Sequence, residues 1–134
     1  MPSAVVDASA LVEVLVGGPA ATAIFERVFR SRIEIHAPHS LDVEVANAVR
    51  RLARRQLLSD QDVDEIAAIY RDLNIERHGN GPFLHRIWQL RHNISSYDAA
   101  YVGLAEWLGI PLITHDAALS RSSAHHAARI EYFE

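Results

Sequence analysis

Two aspartates occupy positions where a carboxylate could take part in catalysis. Asp7 directly follows the apolar run at residues 4–6, and Asp116 follows the apolar run at residues 112–114 by one residue. Ligands of parallel α/β sheets bind outside the carboxyl ends of the strands, so we expect both carboxylates at one edge of such a sheet. Either residue could instead serve only as a helix N-cap, because an aspartate after a strand commonly accepts a backbone N–H of the next helix.

Glu44 lies within an apolar helical stripe rather than opposite it. It comes three residues after Leu41 and four before Ala48, and side chains at these spacings share one face of a helix. We therefore expect the carboxylate to point inward, where it needs a cation, a cluster of donors or a catalytic reason. Glu44 could also lie at the edge of the stripe, or pair with an arginine.

Asp98 is the fourth acid of interest, in the first turn of a helix predicted from Tyr97. The helix dipole favours an acid there without any function. All four acids together would converge on one edge of a parallel sheet, where crowded carboxylates raise one another's pKa unless a cation neutralises them. Oxygen ligands select hard ions such as Mg²⁺ or Mn²⁺, which activate water for phosphodiester hydrolysis. The four acids therefore predict a metal-dependent phosphodiesterase.

The cationic residues narrow the choice of function further. All 13 are arginine and none is lysine. P-loop enzymes and Schiff-base enzymes need a lysine, and the same absence counts heavily against a receiver-like phosphoacceptor. The net charge of −4 argues against a generic nucleic-acid coat protein, which would be basic. A metal is then the natural partner of the clustered acids.

Length and composition indicate one globular domain over residues 1–134. The chain is 49% apolar and 22% charged, and it contains no cysteine, which excludes a disulfide scaffold, thiol catalysis and a cysteine zinc site. Neither a signal peptide nor a membrane-spanning run is expected, because acidic residues interrupt the first apolar stretch. We expect a cytoplasmic protein with no membrane contact.

Apolar runs and helical patterns alternate along the chain. Strands are predicted at residues 4–6, 33–37, 74–77, 111–114 and 129–133. Helices are predicted at residues 9–16, 20–30, 41–52, 59–73, 82–92 and 97–108, with a brief helical turn after residue 116. Strands separated by helices of this length cannot pair as hairpins. The pattern predicts a three-layer α/β/α sandwich around a mostly parallel sheet of four or five strands.

Four motifs along the chain carry a family resemblance. They are residues 7–9 (DAS), Glu44 with Asn47 one turn later, residues 96–101 (SYDAAY) and residues 112–116 (LITHD). Their types and order resemble the PIN-domain ribonucleases, in particular the VapC toxins of bacterial toxin–antitoxin pairs. The likeness spans essentially the whole chain and implies a PIN-like fold.

The resemblance also implies an activity and a set of roles. It implies a metal-dependent endoribonuclease toxin that acts on RNA, is neutralised by a cognate antitoxin and is commonly a homodimer. Asp7 and Asp98 would be direct ligands of Mg²⁺ or Mn²⁺, and Asp116 would be a ligand or would orient the ion through water. Glu44 would orient or deprotonate the attacking water.

Two hydroxyl residues accompany these acids. By the same resemblance Ser9 and Thr114 would hold carboxylates by hydrogen bonds, although either could be an ordinary cap or turn hydroxyl. The second candidate function is a catalytically silent PIN-like module that binds RNA or a protein. The intact acids argue against it, because a pure binder needs no repelling carboxylates.

Three further groups of residues have no catalytic role in this interpretation. The end of the third predicted helix carries a cluster of four arginines: Arg50, Arg51, Arg54 and Arg55. The cluster is either a solvated face or an anion track for RNA phosphate or an acidic antitoxin segment. Four aromatic residues are expected in the core or in a dimer interface rather than against RNA bases: Trp88, Tyr97, Tyr101 and Trp107. His115 is expected at the surface, and the histidine spacings do not favour zinc.

Overall fold

The computed structural model describes residues 2–134 and contains one five-stranded sheet. The strands are β1 (Ser3–Val6), β2 (Glu34–Pro38), β3 (Ile75–His78), β4 (Leu112–Thr114) and β5 (Ile130–Tyr132). They lie in the order β3-β2-β1-β4-β5, and every neighbouring pair is parallel. The predicted parallel sheet is confirmed, with five strands.

Helices cover the sheet and complete the predicted α/β/α sandwich. They are α1 (Ala8–Val16), α2 (Ala21–Phe25), α3 (Leu41–Arg54), α4 (Asp60–Arg71), α5 (Leu84–Gln89), α6 (Ser96–Leu108) and α7 (Ala117–Ser120). Helix α6 packs on β1, β2 and β4, and α5 packs on α6. Helix α1 lies against β4 and also contacts α2, α3 and α4. The site acids therefore come from elements that meet around β1 and β4.

Residues that cap helices set where several of these elements begin and end. Ser59 accepts a hydrogen bond from the backbone N–H of Asp62, whose carboxylate accepts one from the backbone of Ser59 in return. Gly17 ends α1 at φ +71° and Gly109 ends α6 at φ +67°, a backbone conformation that favours glycine. Local sequence thus fixes the helix ends that place the neighbouring strands.

Helix α6 forms the centre of the core because it is apolar on nearly every side. Residues 99–105 are all buried. Gly103 lets the chain before α5 approach closely, since a Cβ at this position would lie 3.2 Å from the ring of Phe83. The small residues of α6 therefore allow it to pack tightly between the sheet and α5.

Two predicted helices change character along their length. The segment at residues 20–30 is α-helical only in α2 and continues as a π-helical stretch over Glu26–Arg30. The wider π turn accommodates two consecutive apolar side chains against the core, those of Val28 and Phe29. The helix predicted at residues 82–92 begins as a 3₁₀ turn that contains Pro82, and its α-helical part ends at Gln89.

Some apolar side chains predicted in the core are exposed. Trp88, Tyr97 and Trp107 are each more than half exposed in the single chain, and only Tyr101 of that group is buried. The core interpretation is therefore wrong for these three, and their place in a dimer interface stays a prediction. Ile69 of α4 is also 55% exposed.

Within residues 2–134, no single helix has both the length and the apolar character that a membrane span requires. In the same part of the chain, one pair of segments reaches that length and apolar character when taken together: α1 and Ala21–Arg30, which are bent by 113° at the break between them.

Gly109→Ala should lower the free energy of unfolding by about 1 kcal/mol, because alanine is strained at the left-handed φ of this helix end. No heavy atom lies within 4 Å of a Cβ built at Gly109, so the loss should be a backbone effect alone. Urea unfolding measures it. Gly81→Ala is the matched control, since its surroundings are equally open without a positive φ. An equal loss in both variants would contradict the backbone explanation.

Candidate active site

Asp7 is fixed at the carboxyl end of β1 by hydrogen bonds to both of its oxygens. Its Oδ1 accepts from the Ser9 hydroxyl at 2.7 Å and from the backbone N–H of Ala10 at 3.0 Å. Its Oδ2 accepts from the Thr114 hydroxyl at 2.5 Å. Asp7 is therefore both the N-cap of α1, as the alternative interpretation proposed, and a carboxylate held at the edge of the sheet.

The Ser9 and Thr114 hydroxyls also tie Asp7 to the chain that leaves β4. Ser9 Oγ accepts from the backbone N–H of His115 at 2.9 Å, and Thr114 Oγ1 accepts from that of Asp116 at 2.9 Å. Each hydroxyl thus donates to the Asp7 carboxylate and accepts from the turn after β4. Strand β1 lies between β2 and β4, so this clamp sits where the strand order changes direction, the usual ligand position in such sheets.

Asp116 and Asp98 lie at the N-terminal ends of α7 and α6. Asp116 is the N-cap of α7 and accepts from the backbone N–H of Ala118 at 2.9 Å. Asp98 lies in the first turn of α6, but Ser95 supplies the cap by accepting from the Asp98 backbone N–H at 3.1 Å. The Asp98 carboxylate is therefore not required as a helix cap.

Glu44 reaches the same region from α3. The buried stripe of α3 consists of Leu41, Val45 and Val49, and Glu44 is half-buried at its edge. The hydroxyl of Tyr101 donates to Glu44 Oε2 at 3.0 Å. Glu44 has no arginine partner among the described residues. Of the two alternatives to a fully inward carboxylate, an arginine pair and a position at the edge of the stripe, the structure therefore shows the second.

A cleft of about 980 Å³ brings the four acids together. Asp7, Glu44, Asp98 and Asp116 all line it, together with Ser9, whereas Thr114 is fully buried behind Asp7. The residues lie on four separate helices or their caps and converge because the helices all begin near one edge of the sheet. The predicted convergence of the side chains on one cleft is thus present in the structure.

Burial and neighbouring negative charge disfavour the ionised forms of three acids in the cleft. Burial raises the pKa of Asp7 to about 6, and the nearby charge of Asp116 adds to the rise. Burial also raises the pKa of Asp98, again with a contribution from Asp116. The pKa of Glu44 is raised by burial first and then by the charge of Asp98, against hydrogen bonds that lower it. Desolvation and mutual repulsion thus act in the same direction on three of the acids.

Within residues 2–134, no arginine forms an ion pair with any of these four acids. The arginine ion pairs within residues 2–134 involve other acids. The donors are all carboxylate oxygens, which suit a hard divalent cation such as Mg²⁺. In their present positions, however, no three His, Asp or Glu side chains of the described chain are placed to hold one ion together. The chemistry of the donors fits a metal, while a complete ligand set is not preassembled.

Three cleft residues were not identified from the sequence. Glu13 lies one helical turn after Ser9, and its Oε2 is 3.3 Å from His115 Nε2. The Nδ1 atom of His115 also lies 2.6 Å from the backbone oxygen of Phe133. His115 is therefore held by neighbouring groups while it lines the cleft, and the predicted surface position is wrong. Tyr101 was expected only as an apolar residue. Helical spacing from Ser9 and from Asp98 would have pointed to Glu13 and Tyr101.

The arginine cluster is divided by the structure. Arg51 and Arg55 line the cleft, whereas Arg50 and Arg54 are exposed and do not line it. The spacing of four residues between Arg51 and Arg55 places both on one face of the end of α3.

Trp88 and Tyr97 line a neighbouring cavity of about 340 Å³.

The sequence matches known proteins along nearly its whole length. The PIN domain family model matches residues 4–124. Ribonuclease VapC12 of Mycobacterium tuberculosis is 42% identical over 123 residues, which are 92% of this chain and 94% of that protein. The chain therefore belongs to the PIN-domain family, and to the VapC group within it. The resemblance drawn from the four acidic motifs is confirmed.

Solved structures share the fold at low sequence identity. The Mycobacterium tuberculosis toxin VapC20, described as cleaving the sarcin-ricin loop, is 19% identical with a TM-score of 0.65 and covers 93% of this chain and 97% of its own. VapBC2 of Rickettsia felis, solved with a DNA fragment from its promoter, is 11% identical with a TM-score of 0.64 and covers 98% of each chain. These likenesses confirm the PIN-like sandwich.

Asp7→Asn should stabilise the metal-free protein near neutral pH. Because the folded state raises the pKa of Asp7 from 3.8 to about 6, the stability that this group contributes is complete below the lower value and is lost as the pH rises through the higher one. Asparagine never ionises, so the variant escapes a loss of about 3 kcal/mol. Urea unfolding in EDTA between about pH 4 and pH 8 should show an advantage that grows with pH.

Asp64→Asn is the matched control for this measurement, because Asp64 is an exposed acid of α4. Its stability relative to the unaltered protein should change little over the same range. An Asp7→Asn advantage that is absent, or independent of pH, would contradict the raised pKa of Asp7.

Proposed function

We propose that this protein is a divalent-metal-dependent endoribonuclease of the toxin type that hydrolyses RNA phosphodiester bonds in the acidic cleft. The observation that carries the proposal is the set of four carboxylates, three with raised pKa values, that line one cleft and have no ion-paired cationic side chain within residues 2–134. The VapC relatives are named ribonucleases, which supports RNA as the substrate.

Asp7, Asp98 and Asp116 are the residues that would hold the ion, Mg²⁺ or Mn²⁺. A bound divalent cation lowers the pKa of a coordinated water and stabilises charge on a phosphate. The hydroxyls of Ser9 and Thr114 keep both oxygens of Asp7 in place, as partners of metal ligands generally do.

Glu44 serves as the base for the attacking water. Its raised pKa brings it closer to neutrality, which suits a group that must accept a proton and later return it. Tyr101 donates to Glu44 Oε2 and so fixes the direction of the carboxylate. The water oxygen bonds to phosphorus as its proton passes to Glu44, the bond from phosphorus to the ribose oxygen breaks, and that oxygen takes up a proton.

The proposal extends to partners and place of action. A cognate antitoxin neutralises the enzyme, in keeping with the VapC group, and the protein acts in the cytoplasm as a single PIN-like unit over residues 1–134. It forms a homodimer, for which the exposed aromatic side chains of Trp88, Tyr97 and Trp107 provide apolar surface. The catalytically silent module is not favoured, because binding alone would not require four mutually repelling acids.

Removal of one charged ligand should strongly reduce cleavage. Asp98→Asn should lower kcat/KM for RNA by about 100-fold or more, because the cation loses a charged ligand while the Ser95 cap of α6 remains. A labelled single-stranded RNA assayed with Mg²⁺, and again with excess EDTA, measures this. Asp64→Asn should cleave normally. Full activity in Asp98→Asn, or in EDTA, would refute the proposal.

Glu44 and Tyr101 can be separated by kinetics. Glu44→Gln should lower kcat by about 10²-fold or more, since the base is lost. Tyr101→Phe should lower it by only about 10-fold, because the base remains but is less well oriented. The acidic limb of the pH profile of kcat should also shift to higher pH in Tyr101→Phe, because the hydroxyl lowers the pKa of Glu44. A kcat unchanged in Glu44→Gln would remove Glu44 from the mechanism.

A further inference from the structure

We propose that Arg51 and Arg55 form a phosphate-binding row that guides the RNA backbone into the acidic cleft. The inference rests on the proposed function, since it concerns how that cleft holds its substrate. It assigns a role to the two arginines of the cluster that face the cleft and leaves Arg50 and Arg54 without one.

The row continues directly from the acids along α3. Glu44, Arg51 and Arg55 all line the same cleft. With a rise of 1.5 Å per residue, Arg51 lies about 10 Å and Arg55 about 16 Å from Glu44 along the helix axis. The two guanidinium groups therefore stand at successive distances from the site of cleavage, on one side of the cleft.

Both arginines are free to bind an anion. Elsewhere in the chain, arginines near acids are paired: Arg27 with Glu131, Arg77 with Asp42 and Arg86 with Glu106. Within residues 2–134, Arg51 and Arg55 take part in no ion pair or side-chain hydrogen bond, and both are exposed. Cleft-facing cations left without a protein partner are available to a ligand.

The charge of the substrate explains why such a row is needed. RNA is a polyanion, the protein carries a net charge of −4, and the cleft itself contains four acids. Without local positive charge the strand would be repelled before a cation at the acids could engage one phosphate. Arginine suits this task because its planar guanidinium donates two parallel hydrogen bonds to phosphate oxygens.

Salt dependence of RNA binding provides the test. Binding of a labelled single-stranded RNA is measured over a series of NaCl concentrations in the presence of Mg²⁺, using the Asp98→Asn background to prevent cleavage. Each lost phosphate contact reduces the slope of log K against log [NaCl] by about 0.7. Arg51→Ala/Arg55→Ala should therefore reduce the slope by about 1.4, and Arg51→Lys/Arg55→Lys should keep most of it.

Arg50→Ala/Arg54→Ala is the matched control, because it removes the same charge from the same stretch of α3 outside the cleft. Its slope should stay close to that of the background protein. Equal slopes for the two double alanine variants would overturn the proposal, since the effect would then be general charge. Thermal unfolding of each variant establishes that the fold is retained.

Cleavage kinetics separate failure of this inference from failure of the proposed function. With active protein, Arg51→Ala/Arg55→Ala should raise KM for RNA while leaving kcat at saturating RNA nearly unchanged. If the protein cleaves RNA but neither KM nor the salt slope of RNA binding changes in Arg51→Ala/Arg55→Ala, only the proposed phosphate-binding row is overturned. If the unaltered protein does not cleave RNA, both proposals fail. If Arg51→Ala/Arg55→Ala loses binding to a polyglutamate peptide while the salt slope of RNA binding stays unchanged, the row binds an acidic protein segment and the RNA proposal is overturned.

Discussion

The repulsion between desolvated carboxylates is the constraint on which this site depends. Asp7 is only 4% exposed, its pKa is raised to about 6, and the charge of Asp116 acts on both Asp7 and Asp98. A fold optimised for stability alone would replace such groups with apolar side chains. The protein instead holds Asp7 with hydroxyl and backbone donors that ease the burial of its charge without cancelling it. That remaining negative potential is the feature on which the proposed metal-dependent function rests.

The parallel sheet turns this constraint into a site. Because β1 and β4 are neighbours and run in the same direction, the residues that follow them emerge side by side. Helix α6 carries Asp98 to the same edge, and α3 carries Glu44 along the wall of the cleft and Arg51 beyond it. Acids and arginines thus occupy different parts of one surface, so negative and positive charge are separated along the cleft.

Sequence patterns were most informative where a residue's position follows from its own element. Asp7 and Asp116 could be placed because each follows an apolar strand, and Glu44 because its helical spacing is clear. Tertiary contacts decided the rest: the Tyr101 hydroxyl reaches Glu44 from another helix, and His115 is held by the backbone of Phe133. Helical periodicity alone could not show which of the four clustered arginines face the cleft, because that depends on how α3 packs in the fold.

The hydroxyl clamp on Asp7 links the ends of two strands that are far apart in the chain. Ser9 and Asp7 are made early in synthesis, whereas Thr114 and Asp116 come more than 100 residues later. A growing chain has neither β4 nor the hydroxyl that fixes Asp7 Oδ2 until residues 112–114 have been made. The Asp7 carboxylate therefore gains its full set of hydrogen bonds only when the end of β1 and the end of β4 have come together.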